Sequence, residues 1–307
     1  MKVFTHNFNP ESNSGPNKFT RTLFNSLIKN NNVTLTNQEE ADVEFCLIQQ
    51  QARMVKPMVL RLDGIYFNSE QNFERQNKPI RFSYNNAAAV IFQSYFNKKL
   101  TEHWFGIHKK SHVIHNTADM TLINASDINV FKHVFKPGQE VWSCASNWRP
   151  HKRLNENIRY FFNNAPKDAI LAVAGHVTKS EITISQPGRV ILLGELPYTT
   201  LISLYKRSKV FVHLSYLDHC PNVVVDAQAS GCHIVCSSSG GTSEVVYDGT
   251  IIHESEWNLD PIKLYKPPQL DFKNYSIKSL KNKNDNNIVD CSKKYYNVFK
   301  EVTRDRN

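Results

Sequence analysis

The chain has 307 residues, of which 40% are hydrophobic and 21% charged. That is a globular balance, with length for two domains of about 150 residues, each able to bury a core without disulfide or metal staples. The formal charge of +9 is spread along the chain, with no block of like charges and no aromatic residues interleaved among basic ones, which argues against a nucleic-acid partner.

In chain order, short apolar runs alternate with helical patterns. Strands are expected at 2–8, 43–48, 58–63, 88–93, 111–116, 141–146, 169–175, 189–194, 211–216 and 233–238. Several are continuous apolar stretches, as in strands covered on both faces. Helical periodicity appears in 17–28 (Phe19, Leu23, Leu27), 153–162 (Leu154, Ile158, Phe162), 198–207 (Leu201, Leu204, Tyr205) and 290–302. This rhythm predicts an α/β fold of doubly wound parallel sheets, which bind ligands beyond the carboxyl ends of their strands. Pro137-Gly138 breaks the pattern. The expected division is a Rossmann-like domain over 1–137, a second over 138–280 and a closing C-terminal helix in 281–307. Segment 262–288 reads as a loop.

The N-terminal run MKVFTHNFNPESN lacks the apolar core of a signal peptide, and no apolar run approaches the ~18 residues of a membrane span. Six cysteines without a Cys-x-x-Cys pair fit reduced thiols in a cytoplasmic protein. The Cys232–Cys236 stretch reads as a buried strand rather than a zinc site, because a structural site needs four well-spaced ligands. Peripheral contact with a membrane stays compatible with the charge.

The chemistry concentrates in residues 215–231, SYLDHCPNVVVDAQASG. Pro221 suits the first turn of a helix that Gly231 ends. The helix start, formed by Cys220, Pro221, Asn222 and Val223, offers backbone N–H groups to an anion such as a diphosphate. Asp226, in the second turn, can accept from the two vicinal hydroxyls of a ribose. Asp218, in the preceding loop, can grip the hydroxyls of another sugar. An acid offsetting a helix dipole plus a second acid in a turn is an equal reading of the spacing alone. Upstream, Arg149 and Lys152 in WRPHKR precede a helix, where cations oppose the dipole unless they serve a ligand. Gly15 lies in the loop after the first strand, ahead of a helix that starts near Pro16 or Asn17, either for close approach of a ligand or as a simple turn. Asp63 ends the 58–63 strand, as a cap or turn carboxylate or as a site residue.

These stretches resemble the family-4 glycosyltransferases and their relatives on the GT-B fold. Their signature stands here as Ser215, Asp218, Pro221, Asn222, Asp226, Ala227, Ala229 and Gly231, with aspartate replacing both glutamates. SGGTSEVV (239–246) and CASNWRPHKRLNENIRYF (144–162) follow the same family in order. The resemblance implies two Rossmann-like domains facing a cleft, with the C-terminal helix returning toward the N-terminal domain. It also implies transfer, with retention, from a nucleotide-diphosphate sugar to a hydroxyl acceptor on a glycan, lipid or protein. Asp226 would hold the ribose, Arg149 and Lys152 the diphosphate and Asp218 the sugar. Pro197, in the loop 194–200, would border the base. Asp63 stands where relatives carry a histidine beside the transferred sugar. No Asp-x-Asp motif occurs, so no metal or other cofactor is expected. An epimerase of the same fold would isomerise donor alone; a non-catalytic sugar-nucleotide- or glycan-binding protein would bind without turnover.

Overall fold

The structure is a computed structural model describing residues 1–12, 14–177, 181–183, 188–279 and 287–304. It divides into two compact units. Unit 1 takes Met1–Thr117, Asn258–Ile262 and the C-terminal helix; unit 2 takes Ala118–Trp257 and the segment from Lys263. Residues 118–137 thus fall in unit 2, where the sequence reading had assigned them to the first domain. The expected 280/281 boundary lies outside the described residues.

Unit 1 runs β1 (Lys2–His6), α1 (Gly15–Asn31), β2 (Thr34–Leu35), β3 (Val43–Leu47), β4 (Met58–Leu62), α2 (Phe73–Asn86), β5 (Ala89–Phe92), α3 (Tyr95–Phe105) and β6 (Ser111–Val113). Its sheet, ordered β2-β1-β3-β4-β5-β6, is parallel throughout. Every residue of β3, β4 and β5 is buried, so these strands are apolar except for Glu44 in β3 and Arg61 in β4.

Unit 2 runs α4 (Met120–Ala125), β7 (Val141–Ala145), α5 (Leu154–Asn164), β8 (Ile170–Ala174), β9 (Val190–Gly194), α6 (Tyr198–Arg207), β10 (Val210–His213), α7 (Asn222–Ala229), β11 (His233–Ser237), α8 (Thr242–Val245), β12 (Asp248–Ile252) and β13 (Tyr275–Ser279). The sheet order is β13-β12-β11-β10-β7-β8-β9. Only β13 is antiparallel. Side chains alternate between two cores across this sheet: Ile170, Ala172 and Ala174 join one, Leu171 and Val173 the other.

The final helix, α9 (Ile288–Arg304), packs in unit 1. Cys291, Tyr295, Val298, Phe299 and Val302 share a core with Phe19, Leu23, Phe24 and Leu27 of α1. The helical stripe expected in 17–28 is therefore the buried face of α1. The expected loop 262–288 needs correction, because it holds β13. That strand is mostly exposed, with Tyr275 at 54% and Ile277 at 68%. Its two large apolar residues alternate with polar ones but are exposed, and so short a run inside a polar, proline-containing segment reads as loop. β12 escaped notice because it opens on Asp248-Gly249, a turn signal.

Candidate active site in unit 2

The chain leaves the centre of the unit 2 sheet in two directions. β8 and β9 extend outward from β7, while β11, β12 and β13 extend outward from β10. β7 and β10 are hydrogen-bonded neighbours, so the order reverses between them. The crevice beyond the carboxyl ends of strands at such a point is where open α/β sheets bind ligands. The two loops that leave it carry Arg149 and Lys152 after β7 and Asp218 after β10.

Backbone bonds join these loops. Tyr216 N–H donates to the His151 carbonyl at 2.8 Å. Leu214 N–H donates to Asn157 Oδ1 at 3.0 Å, and Asn157 Nδ2 donates to the carbonyls of Lys152 (3.1 Å) and Arg153 (2.9 Å). Lys152 ends a 3₁₀ turn over Pro150–Lys152, followed by Arg153 in the left-handed region at φ 52°. Arg153 is buried and forms a bidentate pair with Glu254, at 2.8 and 2.7 Å. It also donates to the Pro268 carbonyl at 2.8 Å and lies over the Tyr216 ring. Of three neighbouring basic residues, then, Arg153 is an anchor, Arg149 is exposed at the start of the turn, and Lys152 points to Asp218.

Lys152 Nζ lies 2.5 Å from Asp218 Oδ2, and His213 Nε2 lies 3.1 Å from the same oxygen. Burial alone would raise the Asp218 pKa, but the Lys152 ammonium and the His213 contact outweigh it and hold the carboxyl well below its usual value. Burial lowers the pKa of His213 although Asp218 opposes it. The imidazole is thus neutral near pH 7, with its Nε2 proton facing a carboxylate that can only accept. Burial, then Lys152, brings His151 down to about 3, and burial brings His219 to about 4.

The Asp218 loop is seated on the SGG segment after β11. Leu217 N–H donates to Ser239 Oγ at 2.8 Å, and Gly241 N–H donates to the Asp218 carbonyl at 2.7 Å. Gly240 has φ +80°, and a Cβ there would sit 2.4 Å from Asp218 O and 2.7 Å from Asp218 N. The glycines of SGGTSEVV thus allow one backbone to lie against the other.

Asp226 lies in the second turn of α7, 7% exposed, and accepts from the Tyr198 hydroxyl at 3.0 Å. Tyr198 opens α6 directly after the exposed Pro197. Cys220 is buried in the core, and Val223 packs against that core. Cys220 precedes the cap Pro221, which has no N–H, and Asn222 and Val223 are the first residues of α7, a position where backbone N–H groups lack intrahelical acceptors.

Gly15 and Asp63 belong to unit 1. Gly15 is the exposed first residue of α1, behind Ser14. Asp63 pairs with Arg61, whose side chain is almost wholly buried. Arg61 also donates to Tyr295 Oη of α9 at 3.2 Å and to Asn116 Oδ1 at 2.8 Å, and its guanidinium lies over the Phe19 ring. Asp63 thus serves as the counterion of Arg61, where the sequence offers a cap or turn carboxylate or a site residue.

Three participants escaped the sequence reading. His213 was hidden as the last residue of an apolar strand, Tyr198 as a periodic helix start, and Arg153 as one more base in HKR. Only His213 left a trace, as a lone polar ring in VFVHLS.

Comparison with known proteins agrees with this geometry. Residues 125–258 match the family model of the glycosyl transferases group 1. No curated protein matches the sequence. The fold is similar to that of sucrose-phosphate synthase from Thermosynechococcus elongatus, with TM-score 0.64 and 12% identity over 83% of this chain and 86% of that one. HepE from Anabaena, solved with UDP-glucose, gives TM-score 0.63 and 16% identity over 83% and 86% of the two chains. AviGT4, a glycosyltransferase of avilamycin A biosynthesis, gives TM-score 0.62 and 13% identity over 99% and 98%. Residues 125–258 thus match the glycosyl transferases group 1 model, within a chain that has the GT-B fold.

Proposed function

We propose that the chain is a retaining glycosyltransferase that moves a sugar from a nucleotide-diphosphate sugar to a hydroxyl acceptor without a metal. The observation that carries the reading is the Lys152–Asp218–His213 cluster at the strand-order reversal, inside the segment that matches the family model. A cation, an ionised acid and a helix start beside one crevice are the groups a diphosphate joined to a sugar calls for.

In this reading Asp226, steadied by Tyr198, accepts from the ribose hydroxyls. Lys152 and Arg149 neutralise the diphosphate, and Asp218 accepts from a hydroxyl of the transferred sugar. Pro197 borders the base. The bond between the anomeric carbon and the phosphate oxygen breaks, and its electron pair leaves with the diphosphate. An acceptor oxygen bonds to that carbon on the same face, and its proton passes to the departing phosphate oxygen. Lys152 and Arg149 beside that oxygen stabilise the charge it gains, the work a metal does elsewhere. In unit 1, Gly15 is assigned to close backbone approach of a ligand, and Asp63 keeps the Arg61 guanidinium neutralised. The UDP-glucose complex of HepE makes a uridine donor the first to try.

The test is a thermal-shift panel of UDP, ADP and GDP with UDP-glucose, ADP-glucose and GDP-mannose, since a ligand that binds only the folded state raises its melting temperature. The donor that binds should then support transfer in EDTA. Asp226→Ala should weaken donor binding ~10-fold through the lost charged hydrogen bonds. A panel without a shift, or activity abolished by chelation, contradicts the reading.

A further inference from the structure

The proposed reaction asks Lys152 to serve a diphosphate and Asp218 to serve a sugar, yet the two side chains are paired at 2.5 Å. When the ammonium turns toward a phosphate, the carboxylate loses its nearest partner. A second partner stays. His213 is the last residue of β10, is 4% exposed and stacks on Phe211 of its own strand, with ring centroids 6.2 Å apart. It cannot follow a ligand as a flexible lysine can. Among the described residues, the side-chain contacts of the Asp218 carboxylate fall on Oδ2, from Lys152 and His213.

We propose that His213 is a positioning residue for Asp218: its Nε2–H donates to Oδ2, turns Oδ1 toward a hydroxyl of the transferred sugar, and holds the carboxylate while Lys152 is given over to the donor diphosphate. This rests on the nucleotide-sugar reading above. An aspartate has only two side-chain torsions, so one fixed hydrogen bond on a fixed backbone settles where its other oxygen points. The backbone is fixed by the Gly240–Gly241 seat. The buried ring stays neutral, so it orients the acid without adding a charge that would compete with Lys152. Among the described residues, the groups that act on it electrostatically are Asp218, Lys152 and His151, and Cys236 of β11 stands opposite it in register.

The role predicts a split between two ligands. His213→Leu removes the donor at similar volume, whereas His213→Gln keeps an N–H near the position of Nε2. Calorimetric titration of the nucleoside diphosphate and nucleotide-sugar pair that binds wild type, chosen from UDP/UDP-glucose, ADP/ADP-glucose and GDP/GDP-mannose, reads it. We expect H213L to bind the nucleoside diphosphate within about twofold of wild type and the nucleotide sugar ~10-fold more weakly, with H213Q restoring it to within about threefold. In an Asp218→Asn background, H213L should cost less than about twofold more, because the group it positions is gone. Should leucine fail to fold, His213→Asn, whose amide stops short of Oδ2, gives the same comparison. Unchanged sugar-nucleotide affinity in H213L overturns the role. So does equal loss for both ligands, or a full loss that persists beside D218N, each of which marks a merely structural histidine. A wild-type protein that binds none of the six probes overturns the functional reading itself, and with it this role.

Discussion

At the scale of single residues, Lys152 carries the most chemistry. It sits at the end of a short turn whose next residue, Arg153, is held by Glu254 and the Pro268 carbonyl, so the turn cannot drift. Lys152→Ala should lower turnover by about one to three decades, the range seen when a donor to transition-state charge is removed. Steady-state kinetics with saturating acceptor measures it; an unchanged rate would remove Lys152 from the mechanism. Asp63 makes the contrast. Its partner Arg61 is fully buried and bonds to Tyr295 and Asn116. Asp63→Ala strands a buried guanidinium and should cost about 3–5 kcal/mol, read as a lower urea midpoint for unit 1. A midpoint close to wild type would show that Arg61 finds its counter-charge elsewhere.

At the scale of elements, the site depends on how the loop after β10 rests on the loop after β11. Gly240 is the point of closest approach, and the atoms a Cβ would meet are backbone, which cannot swing aside. Gly240→Ala must shift the Asp218 loop and adopt φ +80° with a side chain, a combined cost on the order of 1–3 kcal/mol. We expect lower melting temperature together with weakened donor binding. Gly138→Ala is the control. It too has positive φ, +73°, but no atom lies within 4 Å of its Cβ. It should show only the left-handed strain, roughly 1 kcal/mol, and leave donor affinity as it was. Equal losses of donor affinity in both variants would mean that the close approach at Gly240 has no part in the site.

At the scale of the whole molecule, unit 2 buries titratable groups whose pKa values lie far from those of an unfolded chain, so its stability must depend on pH. His151, 8% exposed, is lowered to about 3 by burial and then by Lys152. An unfolded histidine titrates near 6.5. Between about pH 6.5 and 3 the unfolded state binds the extra proton, so stability falls as pH falls. The slope is at most about 1.4 kcal/mol per pH unit for each such histidine. Asp218 acts in the same direction lower down: its depressed carboxyl adds stability that is in place above about pH 4 and lost below it. Urea midpoints of unit 2 from pH 7 to 4, followed through Trp142 and Trp148, should decline, and His151→Gln should make the decline shallower. A flat profile would show that the ring is not buried neutral. Among the described residues no helix is long and apolar enough to cross a membrane. The ten strands expected from apolar runs all form, and in six of them, β3, β4, β5, β7, β8 and β10, every residue is buried, which writes itself into largely apolar stretches. The exposed pair β2 and β13 left no such mark. Lys152, Asp218 and Asp226 were legible because charges next to a helix start stand out in a sequence. Sequence by itself thus determined the α/β class, the strand–helix rhythm and the charged candidates, all of which depend on near neighbours in the chain. Only the tertiary structure decided that Lys152 and His213 share one oxygen of Asp218, that Tyr198 steadies Asp226 and that Arg153 is an anchor, because those partners lie 5 to 115 residues apart and meet only once the sheet has formed, the first cluster where β7 and β10 lie side by side and the Tyr198 pair where α6 meets α7.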